Sequence, residues 1–111
     1  MRKNNKKNIE IIHMQLLSFT TKQKKGYPHK EKLGGAFITC WIKNQTEKNA
    51  YYIAKGTIEE TGYEIKSFEL QEKVTKNLYK NDPENLKFYD QALIDNEVFV
   101  FDTYPSKNKN S

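Results

Sequence analysis

The sequence predicts an α+β fold of two helices packed on a mixed four-stranded sheet, in the order β-β-α-β-α-β. Three observations lead there. Segments 46–61 and 82–96 each join a good capping residue to apolar positions at helical spacing. Four further runs carry alternating or continuous apolar residues over strand lengths. Two amphipathic helices and one sheet can then bury all of these faces against one another. At 111 residues the chain is sized for one domain with a modest core.

Residues 9–20 read as the first strand. Ile11, Ile12, Met14, Leu16, Leu17 and Phe19 are nearly continuous, which implies partial cover on both faces. A basic loop, 21–34, follows and is broken by Gly26 and Pro28. Gly35 to Lys43 is the second strand, with Ala36, Ile38, Cys40 and Ile42 on one face and Phe37, Thr39 and Trp41 on the other. Thr46 caps the first helix, Glu47 suits its positive end, and Gly62 ends it. Ala50, Ile53, Ala54, Thr57 and Ile58 form its apolar stripe.

Residues 63–75 read as a third strand of mixed alternation. Ile65 faces one way and Phe68 and Leu70 the other, which calls for a bulge or an open second face. The second helix has Asp82 as cap, Pro83 in the first turn, a stripe of Leu86, Tyr89 and Leu93, and Asn96 as terminator. The last strand, 97–104, has Val98, Phe99, Val100 and Phe101 in a row, which places it centrally. Each strand–helix–strand unit makes a right-handed crossover if its strands are parallel. Ferredoxin-like topology is a relative, although the element order departs from it. The domain runs from 9 to 105, with a basic polar tail at 1–8 and a polar tail at 106–111.

Charge is unevenly placed. The formal net charge is +5, yet residues 33–104 hold 8 lysines against 12 carboxylates, a net of −4. The basic excess lies in residues 1–8, in the loop and in the last few residues. Lysine dominates and arginine appears once, whereas specific readers of nucleic acid use the planar fork of arginine. Lys22, Lys24, Lys25, Lys30 and Lys32 therefore fit, at most, a weak and salt-sensitive nucleic-acid contact.

A single cysteine excludes an intramolecular disulfide, and no Cys/His cluster points to zinc. No apolar run reaches the ~18 residues of a membrane span. Glu10 and His13 interrupt the first apolar run, which also lacks a small-residue cleavage site. The expectation is a cytoplasmic protein without cofactor or metal and without a membrane partner.

Catalytic chemistry finds little to use. Cys40 lies inside a strand beside Ala36, Ile38 and Ile42, where a thiol acts as a small apolar residue. Only His13 and His29 could serve it as a base in a cysteine-dependent enzyme. Asp90, Asp95 and Asp102 are not spaced to converge as an acid–base pair. The glycines of "KLGG" lack the spacing of a phosphate loop.

Aromatic residues are the stronger lead. Seven tyrosines and six phenylalanines exceed what a small core easily hides. Tyr27, Tyr51, Tyr52, Tyr79 and Tyr104 lie outside the apolar stripes or near element ends, and tyrosine is favoured at protein interfaces. Trp41 marks a binding surface if it is exposed, and a sheet covered on both sides if it is not.

The stretches "GGAFITCWI", "TGYEIKSFEL" and "FYDQALIDNEVFVFDTYP" together resemble small uncharacterised bacterial single-domain proteins, over about residues 33–105. That resemblance implies a bacterial origin and these boundaries, and no reaction. The function that fits best is a small non-catalytic interaction protein that binds another macromolecule. An immunity-type toxin neutraliser is one form, its acidic body covering a basic active site. Trp41, Tyr51 and Tyr52 are the candidate contact residues for a protein partner.

Overall fold

A computed structural model describes residues 12–26 and 33–105. The tails at 1–8 and 106–111, the first residues of the expected first strand, and Tyr27, His29, Lys30 and Lys32 lie outside the described residues.

The fold is α+β, and its elements follow the expected order. Strand β1 spans Met14–Gln23 and β2 spans Leu33–Lys43. Helix α1 spans Glu47–Glu60 and β3 spans Tyr63–Val74. A single 3-10 turn at Lys76–Tyr79 leads into helix α2, Pro83–Asp95, and β4 spans Glu97–Pro105. Both helices begin as their caps dictate. Thr46 Oγ1 accepts the Asn49 N–H at 3.1 Å and Asp82 Oδ1 accepts the Asn85 N–H at 3.2 Å. Asn96 ends α2 at φ 77°, in the left-handed region, and Gly62 follows α1 at φ 99°.

The sheet has the order β3-β1-β2-β4 and is antiparallel at every pairing, not mixed. Strands β2 and β3 do run in the same direction, but β1 lies between them and pairs antiparallel with both. Parallel direction therefore never becomes parallel pairing. β4 is an edge strand, not a central one. It can be apolar on both sides because both faces of the sheet hold a core at this edge: Val98 and Val100 pack into one, Phe99 and Phe101 into the other.

The two helices lie on opposite faces. On the first, Leu17, Phe19, Ala36, Ile38, Cys40 and Ile42 meet Ala50, Ala54 and Ile58 of α1. On the second, Met14, Trp41 and Val74 meet Tyr89 and Ala92 of α2, with Tyr79 from the 3-10 turn. The alternation along β2 is as its sequence implies. The sheet curls around α1 far enough that the rings of Tyr63 on β3 and Phe101 on β4 lie 5.8 Å apart. Register shifts in β1–β3, at Ser18/Phe19 and Thr20/Thr21, supply extra twist. They also turn Phe68 to the α1 side, stacked on Phe19 at 5.1 Å, so it shares a face with Ile65 rather than with Leu70.

The buried polar side chains of Thr21 and Gln15 are paired. Thr21 Oγ1 donates to Ala36 O at 2.8 Å and accepts the Ala36 N–H at 3.2 Å. Gln15, almost fully buried, accepts from Gln71 Nε2 at 3.1 Å. Among the described residues, no helix is long and apolar enough to cross a membrane.

Candidate functional site

Helix α2 has 13 residues and a length of about 20 Å at 1.5 Å per residue. It seats over the end of the sheet that carries Met14, Trp41, Val74 and Val98. The other end of that face holds the second half of β1, the first half of β2, the middle of β3 and the end of β4. No helix of the described residues covers it.

Trp41 and Phe37 share one face of β2, four residues apart, and their fates differ. Trp41 is 2% exposed; its indole N–H donates to Tyr79 Oη at 3.0 Å and its ring lies 5.4 Å from Phe88. Burial removes Trp41 from the candidate contact surface and settles the sheet as covered on both sides at this end. Phe37 is 51% exposed, and its ring lies 4.9 Å from Tyr104. Leu70 on β3 is also exposed. Ser18, Thr20 and Thr39 fill the space between with small hydroxyl side chains. Asp102 stands opposite Phe37 in the register, and Glu69 accepts from Thr20 Oγ1 at 2.9 Å. The result is a shallow platform with an aromatic centre and carboxylates at two margins.

Tyr51 and Tyr52 lie elsewhere, on α1. Tyr52 is 57% exposed and Tyr51 half-buried, with ring centroids 5.3 Å apart and Tyr51 5.0 Å from Phe68. This ladder runs over the β3 edge on the α1 side, and the fold does not bring it onto the Phe37 platform. Sequence reasoning passed over Phe37 because alternation gives it the same status as Trp41. The signal that separates them is the finite length of α2.

The described lysines of the basic loop are partly engaged. Lys24 Nζ donates to Glu59 O at 3.3 Å, at the carbonyl end of α1, where a cation is favourable. Lys22 Nζ is 4.0 Å from Glu64, and Lys25 is exposed. Lys22 in fact belongs to β1, so the loop starts later than its composition implies.

An open cleft of about 540 Å³ lies at the opposite end of the sheet, between β1, β3 and the start of α1. Its lining includes His13, Gln15, Asn44, Thr46, Glu47 and Lys73. Hydrogen bonds to backbone groups and to Gln71 tie its walls together. Asn44 accepts from the His13 N–H and donates its own backbone N–H to His13 O. Gln71 bridges Gln15 and Glu47 O. Among the described residues, no three His, Cys, Asp or Glu side chains gather to hold a metal ion.

Cys40 is fully buried and stands opposite Leu17 in the β1 register, away from His13. Burial, with the charge of Glu97 adding to it, pushes its thiol up to about 12 from an ordinary value of 9.0. The nucleophilic thiolate is thus suppressed in the folded protein. An aromatic-disulfide thiol reagent is expected to leave the native chain unmodified and to label it fully in denaturant; rapid native labelling would contradict the burial. Because the folded value is raised, the unfolded chain releases this proton first, so stability is intact below about pH 9 and falls as pH rises towards 12.

The fold and site together define an α+β protein with one sheet face half open. No family model, no curated protein and no solved structure matches this chain.

Proposed function

We propose that this protein acts by binding another protein, through the sheet platform centred on Phe37. The observation that carries the reading is the pairing of an exposed phenylalanine with Tyr104 on a rigid antiparallel sheet, beside exposed Leu70. Exposed aromatics held on strands present contact area at little cost in conformational entropy. Asp102 and Glu69 at the margins favour a partner whose apolar contact is rimmed by lysine or arginine. A toxin neutralised by occlusion of its basic active site is one partner of that description.

The buried, protonated Cys40 supports a non-catalytic role. Nucleic-acid binding by the loop lysines is a weaker reading, since Lys22 and Lys24 already face a carboxylate and a helix carboxyl end.

Affinity capture with the wild type and with Phe37→Ser, from the cells of origin, tests the proposal. A protein retained by the wild type and lost with Phe37→Ser, at unchanged thermal stability, is the expected result. A partner held equally by both, or none held by either, rejects the platform as the binding surface.

A further inference from the structure

The two edges of the sheet are built differently. β3 is bulged at two places and carries Glu64, Lys66, Glu69, Glu72 and Lys73, the charges and irregularities that keep an edge from pairing. β4 has neither defence over its middle. Its register with β2 is unbroken from Glu97 to Tyr104, and Val98, Phe99, Val100 and Phe101 are all partly exposed.

The direction of the β4 backbone follows from bonds on β2. Both the N–H and the C=O of Ala36 bond Thr21 on β1, and the Asn44 N–H bonds His13 O on the same side. The Lys43 N–H instead reaches Asn96 O on the β4 side. Odd-numbered residues of β2 therefore turn their backbone groups to β4, where Phe37, Thr39 and Trp41 meet Asp102, Val100 and Val98. The alternate residues of β4, which are Phe99, Phe101 and Thr103, direct their N–H and C=O groups outward, where no described strand pairs with them.

We infer that β4 is the seam of a two-fold symmetric dimer, in which the β4 strands of two copies pair antiparallel into one eight-stranded sheet. Two features favour a second copy as the occupant. First, the seam is self-compatible in charge. Only odd-numbered residues turn outward, so hydrogen-bonded partners are odd with odd, as in Phe101 against its own copy or Phe99 against Phe101. In these two registers Glu97 falls opposite Pro105 or Thr103 and Asp102 opposite Val100 or Val98, so neither carboxylate meets another. Second, a two-fold axis normal to the sheet keeps like faces together, so Phe99 and Phe101 meet their counterparts on the curled α1 side. The Phe37 platforms of the two copies then lie on one common face.

Thr103→Pro tests the seam. The Thr103 N–H points away from β2, so proline removes an outward donor and leaves the β2 ladder intact. Light scattering on the full chain is expected to rise from the mass of one chain in dilute solution to twice that mass as the wild type is concentrated. The variant is expected to dimerise about tenfold more weakly, having lost two hydrogen bonds per dimer. Hydrogen exchange on the wild type supplies an independent readout: the Phe99 and Phe101 amides are expected to slow as concentration rises. A wild type that stays monomeric when concentrated overturns the inference. So does a dimer unaffected by Thr103→Pro, or protection of those amides that is independent of concentration and reports pairing within the chain.

Discussion

Trp41→Ala is expected to cost about 3–5 kcal/mol, the range for truncating a buried large aromatic residue. The indole lies at the centre of the core under α2, with Phe88 at 5.4 Å, Tyr79 at 6.4 Å and its N–H donated to Tyr79 Oη at 3.0 Å. Truncation opens a cavity between sheet and helix and leaves that buried hydroxyl without its donor, so transfer, cavity and hydrogen-bond losses act together. Small domains have about 5–15 kcal/mol in total, so the variant falls near or below the folding threshold. Urea titration followed by circular dichroism measures this directly. In the wild type, the sole tryptophan also reports on its own site: emission should be blue-shifted in the native state and move red in a single transition with the dichroism. A loss below about 1 kcal/mol would be that of a surface position and would mean that α2 does not close over this face.

What the sequence made legible, and what it hid, follows the range of the interactions involved. Helix limits were readable because caps act within one turn: Thr46, Asp82 and Asn96 each bond or bend where they stand. The two-sidedness of β2 was readable for the same reason, since pleating alone separates Ile38 and Cys40 from Trp41. Strand order was not, because pairing β1 with both β2 and β3 is a decision between segments distant in sequence. The bulges that turn Phe68 towards α1 arise from that same pairing. The 3-10 turn that delivers Tyr79 to Trp41 is four residues long and has no period to detect. For the candidate site, Tyr51 and Tyr52 were recognised as residue types suited to an interface. Phe37 needed knowledge of where α2 stops, and no local pattern carries that.

Gly35→Ala is expected to be among the most damaging single-methyl changes available, at about 3 kcal/mol or more, the severe end of overpacking. A Cβ at this position would collide with the carbonyl oxygen of Thr21 and sit 2.7 Å from both Lys22 Cα and Tyr104 Oη. Two of these obstacles are backbone atoms of the neighbouring strand, which no rotamer change can move. Relief would require β1 to move away from β2 where Thr21 Oγ1 bonds Ala36 twice and the Tyr104 hydroxyl donates to Thr21 O. The same substitution at Gly56 is the internal control. That glycine lies inside α1 with nothing within 4 Å of an added Cβ, so alanine there should stabilise by about 0.5–1 kcal/mol through helix propensity. Opposite signs in chemical denaturation for one added methyl would show that Gly35 is fixed by the approach of β1, β2 and β4, not by turn formation. Equal, small effects at both positions would mean that the strands stand further apart than this packing requires. Because Tyr104 takes part in that contact and also packs against Phe37, a tolerated Gly35→Ala would loosen the support of the binding platform as well.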